Sequence, residues 1–147
     1  MKNYNILAVM VSILLISACG IKEPSQNSLQ MLEEEVMAIH DSVMPDMPKI
    51  HYQKEALVDW SKSEEFEDLD STDRQNIASA IRALKKAEDA MWDWMSDYAD
   101  ESEEMKGSDD SLMNVFLLRQ KSEIIRVRDM MLSSMSAADS LFNTQNQ

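Results

Sequence analysis

The chain has 147 residues, a formal charge of −13, 13 methionines, three prolines and two glycines. That length fits one domain, and its helix-forming composition, with no β-branched or aromatic runs between turn signals after residue 20, argues for an all-α fold. So acidic a surface repels phosphate backbones and anionic headgroups, which argues against a nucleic-acid partner and requires any membrane attachment to be covalent.

Met1 to Tyr4 carries Lys2, and Ile6 to Ile16 is almost uninterrupted apolar sequence. A spanning helix needs about 20 apolar residues, so this run has the size of a signal-peptide core instead. Ile16-Ser17-Ala18-Cys19 follows, an aliphatic residue and two small residues before a cysteine. It resembles the bacterial lipobox. The resemblance implies removal of residues 1–18 by cleavage between Ala18 and Cys19. It also implies a diacylglycerol thioether on Cys19 and frequent acylation of the new amine. Two or more chains, at about 0.8 kcal/mol per buried methylene, anchor a protein stably. Cys19 is the only cysteine, so no intramolecular disulfide can form. Gly20 stands where aspartate often marks inner-membrane retention, which favours the outer membrane, on its periplasmic or surface face. Residues 19–28 read as the lipidated cysteine and a flexible tether, able to hold the domain up to roughly 30 Å from the bilayer.

Residues 29–142 read as a helical bundle. Ser28 is the expected N-cap of the first helix, whose stripe is Leu29, Leu32, Val36, Ile39 and Val43, at spacings of three and four. Pro45 and Pro48 predict a kink or interruption over 44–48. Met47, Ile50 and Leu57 continue the stripe to about Lys62, followed by an acidic, Ser-rich connection over 63–71. Asp70, Ser71 or Thr72 can cap the second helix, whose apolar face is Ile77, Ile81, Leu84, Ala87, Met91, Trp94, Met95 and Tyr98. It is expected to end near Glu104, with Gly107-Ser-Asp-Asp-Ser as stop and restart. The third helix starts near Ser111, with Leu112, Val115, Phe116, Leu118, Ile125, Leu132 and Met135 expected on its buried side. Its bases Arg119, Lys121, Arg126 and Arg128 offset the acidic helices. Residues 143–147 are expected to fray. The predicted architecture is a three-helix up-down-up bundle with a long, kinked first helix.

A second stripe, Met37, His40, Met44 and Met47, runs beside the first. If the hairpin turns near residue 68, His40 and Met44 face Met91 and Met95, with Trp92 and Trp94 at the same level. One imidazole among thioethers is a soft donor set suited to copper(I) rather than Mg or Ca. A His/Met pair in a bundle can also ligate haem. The alternative is plain packing, because methionine fills irregular cores and favours aromatic rings. No His-Glu-x-x-His, Gly-x-Ser-x-Gly or phosphate-loop pattern occurs, and the carboxylates at 64–68 read as solvated surface. No enzymatic activity is expected.

His40-Asp41-Ser42-Val43-Met44-Pro45-Asp46-Met47 is similar to a His-Asp-x-x-Met-Pro-x-Met pattern. Ala87-Glu88-Asp89-Ala90-Met91-Trp92-Asp93-Trp94-Met95 is similar to an alanine-rich stretch ending in Met-x-x-Trp-Met. In both, the chain resembles a group of small bacterial lipoproteins labelled viral A-type inclusion protein. The resemblance implies an envelope compartment and a helical fold. The expected function is a lipid-anchored, extracytoplasmic helical module that engages an envelope protein through its exposed acidic faces or a groove beside the Met/Trp layer, with metal or haem binding by the His/Met layer as the alternative.

Overall fold

The first helix begins earlier than expected, because Ser25 rather than Ser28 takes the cap. Ser25 is extended, and its hydroxyl accepts from the Ser28 N–H at 3.3 Å, satisfying one of the donors that a helix start leaves open. The computed structural model describes residues 24–145. The leader 1–18, the Ala18–Cys19 junction and the tether as far as residue 23 lie outside the described residues, as do Asn146 and Gln147. Residues 26–28, read from sequence as tether, are already helical.

Helix α1 (Gln26–Val43) passes into a 3-10 turn, Met44–Asp46, and then into α2 (Met47–Trp60). Each proline is the second residue of its element, Pro45 in the 3-10 turn and Pro48 in α2. A first-turn proline costs no helical hydrogen bond, since that N–H would have no partner. The interruption therefore falls where two missing donors do least harm. A short helix, α3 (Glu64–Glu67), lies within the acidic connection. Asp70 then caps α4 (Ser71–Glu104), its carboxylate accepting from Thr72 and Asp73 N–H at 2.8 and 2.9 Å. Gly107, with φ +84°, turns the chain toward α5 (Asp110–Gln145), and Asp109 accepts from the Leu112 N–H at 2.9 Å. Helix α5 includes Asn143 and Thr144, which the sequence reading assigned to a frayed end.

The described residues are all-α, without strands. Cross-helix pairs give the directions. Glu35 meets Lys121 at 2.6 Å and Lys49 meets Asp139 at 2.9 Å, so α1 and α2 run with α5. His40 stacks on Trp94 while His51 meets Glu88, so α4 runs against them. Glu101 pairs with Arg119 across the α4–α5 hairpin.

The core joins Val36, Val43, Met47, Ile50 and Leu57 to Leu84, Ala87, Met91 and Trp94 of α4, and to Ile124, Val127, Met131, Met135 and Ala138 of α5. Burying a Leu, Ile or Met side chain contributes about 1.5–3 kcal/mol, so this face holds the helices together. The α5 side of the core differs from expectation. Phe116 and Met135 are buried as expected, and Leu117, Gln120, Ile124, Val127, Met131, Ser134 and Ala138 join them. Leu112, Val115, Leu118 and Leu132, expected inside, are 56%, 62%, 52% and 46% exposed. Ile125 is half-buried. The helix presents two apolar stripes, and the one carrying a buried glutamine and serine faces the core.

Candidate functional site

The residues of the expected His/Met layer fall in one region but in unlike environments. Met47 and Met91 belong to the main apolar cluster, Met91 fully buried, and the half-buried Met44 and Met95 pack against it. His40 lies on α1 with its Nδ1 2.9 Å from Asp41 Oδ1. Its ring stacks on Trp94 at 5.5 Å between centroids, Trp94 stacks on Tyr98 at 5.1 Å, and Tyr98 meets Phe116 at 5.8 Å. This aromatic ladder ties α1 to α4 and α4 to α5. His40 Nε2 and Trp94 Nε1 are buried without partners among the described residues. A ligand on His40 Nε2, copper or haem iron, would therefore have to displace packed core atoms.

The second histidine, which sequence reasoning passed over, has a more open position. His51, on α2, reaches Glu88 of α4, its Nδ1 2.9 Å from Oε1. Lys54 donates to the other carboxylate oxygen at 2.5 Å. Burial pushes the Glu88 carboxyl up, but the hydrogen bonds from Lys54 and His51 and their charges hold it below its ordinary value. The hydrogen bond to Glu88 in turn raises the Lys54 ammonium. His51 is four residues beyond Met47, a spacing that puts neighbours on one helical edge. Sequence could have signalled it in that way. Met44, Met47, Pro48, His51, Glu88 and Trp92 line a cleft of about 440 Å³, and Trp92 is 56% exposed beside it.

A larger cavity, about 730 Å³, opens where α1 begins and α4 gives way to α5. Leu29, Met113, Phe116 and Leu117 form its apolar part, with Tyr98, Glu33 and Lys106 also on its wall. Burial, then the nearby Glu33 carboxylate, raises the Tyr98 phenol. Two polar clamps hold α5. Gln53 is buried and donates to Asp139 at 2.6 Å, beside the Lys49–Asp139 pair. Gln120 is buried and donates to Glu101 Oε2 at 2.6 Å, beside Arg119, which binds both Glu101 oxygens at 3.0 and 2.6 Å. The hydrogen bond from Arg119 holds the Glu101 carboxyl below the ordinary range.

The outer face of α5 is the other unusual surface. At about 100° per residue, Val115 and Leu118 lie opposite the core-facing set, with Ile125 and Leu132 toward one flank and Leu112 toward the other. The stripe spans about 30 Å at 1.5 Å per residue. Arg119 and Arg126 flank one edge and Lys121 and Arg128 the other, on a chain that is otherwise strongly acidic. Arg126 reaches Glu123 at 4.0 Å, and its side chain is 71% exposed.

Among the described residues no group of three or more His, Cys, Asp or Glu is placed to hold a metal ion, and no helix is long and apolar enough to cross a membrane. Compared with protein-family models, curated proteins and solved structures, the chain matches none.

Proposed function

We propose that this protein is a lipid-anchored, extracytoplasmic interaction module of the bacterial envelope. In this reading acyl chains on Cys19 fix a three-helix up-down-up bundle beside the membrane, in the outer membrane by the absence of an aspartate at position 20. The outer face of α5 engages an envelope protein, and no catalytic step is involved. The observation that carries the reading is the exposed stripe Leu112, Val115, Leu118 and Leu132. Leu112, Val115 and Leu118 lie within about two turns of one another, and exposed apolar side chains grouped in this way mark a recognition surface. The bases along its edges already meet carboxylates of this chain, Arg119 with Glu101, Lys121 with Glu35 and Arg128 with Asp129, so the apolar residues carry the contact, and they fit a partner helix laid along α5 with its apolar anchors at three- and four-residue spacing.

Photo-crosslinking in cells tests the partner, with the reactive residue at Leu118 or Leu132 and a control at the exposed Asp89. The expected adduct is one envelope protein, captured from the stripe and not from the control, and lost on Ile125→Glu. Adducts only to lipid, only to a second copy, or equal at stripe and control positions would refute the interaction reading. Labelled palmitate tests the anchor. It should enter the wild-type chain and not a Cys19→Ala variant, which should also escape processing and change its membrane fractionation.

A further inference from the structure

Two thioethers, one imidazole and one indole ring converge on the cleft between the start of α2 and α4. Met44, Met47 and His51 are spaced three and four apart along one edge, Met44 in the 3-10 turn and the other two in α2. Trp92 comes from the facing helix, and all four line the same cleft. Pro45 and Pro48, which fix φ at about −65°, bracket Met47 and hold this edge in shape. His51 is the residue with the built environment. Its Nδ1 is committed to Glu88 at 2.9 Å, and Glu88 is locked in turn by Lys54. Metal-bound histidines commonly show this arrangement, in which a carboxylate fixes the tautomer and orientation of the ring and leaves the other nitrogen free to coordinate.

We infer that Met44, Met47 and His51 form a binding site for a soft monovalent metal ion, copper(I), in the cleft that Trp92 also lines. Thioether sulfur and neutral imidazole suit copper(I) and offer little to Mg or Ca. A monovalent cation is also drawn to an indole face, which gives an exposed tryptophan a role beside the ligands. The site differs from the layer expected from sequence. His51 replaces His40, whose Nδ1 is on Asp41 and whose Nε2 is buried. Met91, fully buried, stays in the core. The site is independent of the α5 surface, and either could fail without the other.

The test is titration of the full chain with copper(I) against a chromophoric competitor, and with silver(I) as a redox-silent analogue. A Cys19→Ser background removes the one thiol that would compete. One ion should bind per chain, with quenching of tryptophan emission that is lost in Trp92→Phe and kept in Trp60→Phe. His51→Ala and Met44→Leu should each weaken binding by about 10-fold or more. Glu88→Gln, which touches no metal, should weaken it by roughly 10- to 100-fold. His40→Ala should leave it unchanged. Met44 is half-buried and His51 exposed, so circular dichroism should show these two variants folded, and the same measurement establishes the fold of Glu88→Gln and His40→Ala before their binding is read. Met47→Leu, at a buried position, is read only alongside them. No one-to-one binding at micromolar metal overturns the inference. So does binding indifferent to His51→Ala and Glu88→Gln, or binding abolished by His40→Ala.

Discussion

Gln120 offers a sharp test of how the bundle handles polarity in its core. It is fully buried on α5, its amide nitrogen donates to Glu101 Oε2 at 2.6 Å, and its amide oxygen has no partner among the described residues. Glu101→Ala would leave a buried amide donor without an acceptor, a loss of about 1–3 kcal/mol. Arg119 would also lose its carboxylate, but its side chain is half exposed, and a surface ion pair adds at most about 1 kcal/mol. Gln120→Met keeps the side-chain length and removes both the donor and the orphan oxygen, while Glu101 keeps its two-pronged contact with Arg119. That variant should lie within about 1.5 kcal/mol of wild type on either side. In the Gln120→Met background, Glu101→Ala should cost only the surface pair, so the cycle should show a coupling of about 1 kcal/mol or more. Urea unfolding followed by far-UV circular dichroism reads this directly. With a slope of about 1–3 kcal/mol per molar, Glu101→Ala should lower the midpoint by roughly 1 M. If the two single variants are equally destabilised and their effects add, the hydrogen bond to Gln120 does not account for the contribution of Glu101.

Acid should weaken the fold through the same clamp. Glu101 and Glu88 are held below the ordinary glutamate value, so their contributions are complete above about pH 4.3 and fade as pH falls through the lower folded values. The urea midpoint should drop on that limb, and Glu101→Gln should flatten it. Lys54, raised by Glu88, contributes at neutral pH and loses its contribution as pH climbs through its raised folded value. The turn before α5 makes a conformational prediction. A Cβ on Gly107 meets nothing within 4 Å, so the cost of Gly107→Ala is the left-handed backbone alone, about 1–2 kcal/mol. Gly107→Asn should cost less, because asparagine tolerates that region, and equal losses in thermal melts would contradict the assignment.

Much of the fold was legible because its signals are local. Three- and four-residue spacing located the α1 and α4 faces, Gly107 marked the stop, Asp70 was among the expected caps, and Pro45 and Pro48 located the break. The cap of α1 was misplaced because Ser25 and Ser28 are equally good cap residues one turn apart, and only the backbone shows which is extended. The short helix α3 was missed in a segment read as an acidic, Ser-rich connection. At the candidate metal cleft, sequence found Met44 and Met47 but chose His40. It could not show that the edge of α1 bearing His40 packs on Trp94, nor that Glu88, at the level of His51, would be fixed by Lys54. Such pairings cross between helices and have no signature within either one.

The misread face of α5 has a different cause. The side read from sequence as buried mixes two faces of α5: Phe116 and Met135 do face the core, while Leu112, Val115, Leu118, Ile125 and Leu132 belong to the outer stripe. Turning the helix by half a turn would bury that set, but it would also carry Arg119 and Arg126 toward the core. An unpaired charge in an apolar interior costs far more than a buried leucine contributes. A glutamine and a serine can enter the core, because Gln120 has Glu101 and the Ser134 hydroxyl donates to the Met131 carbonyl at 2.9 Å. The charges therefore decide the register, and the leucines are what that decision leaves outside. Nothing in the stability of an isolated bundle calls for leucine and valine at those outer positions, where polar helix formers would serve as well. A conflict of this kind between local pattern and global packing is where a functional demand is expected, and it makes the outer face of α5, framed by its four bases, the place to look for a partner.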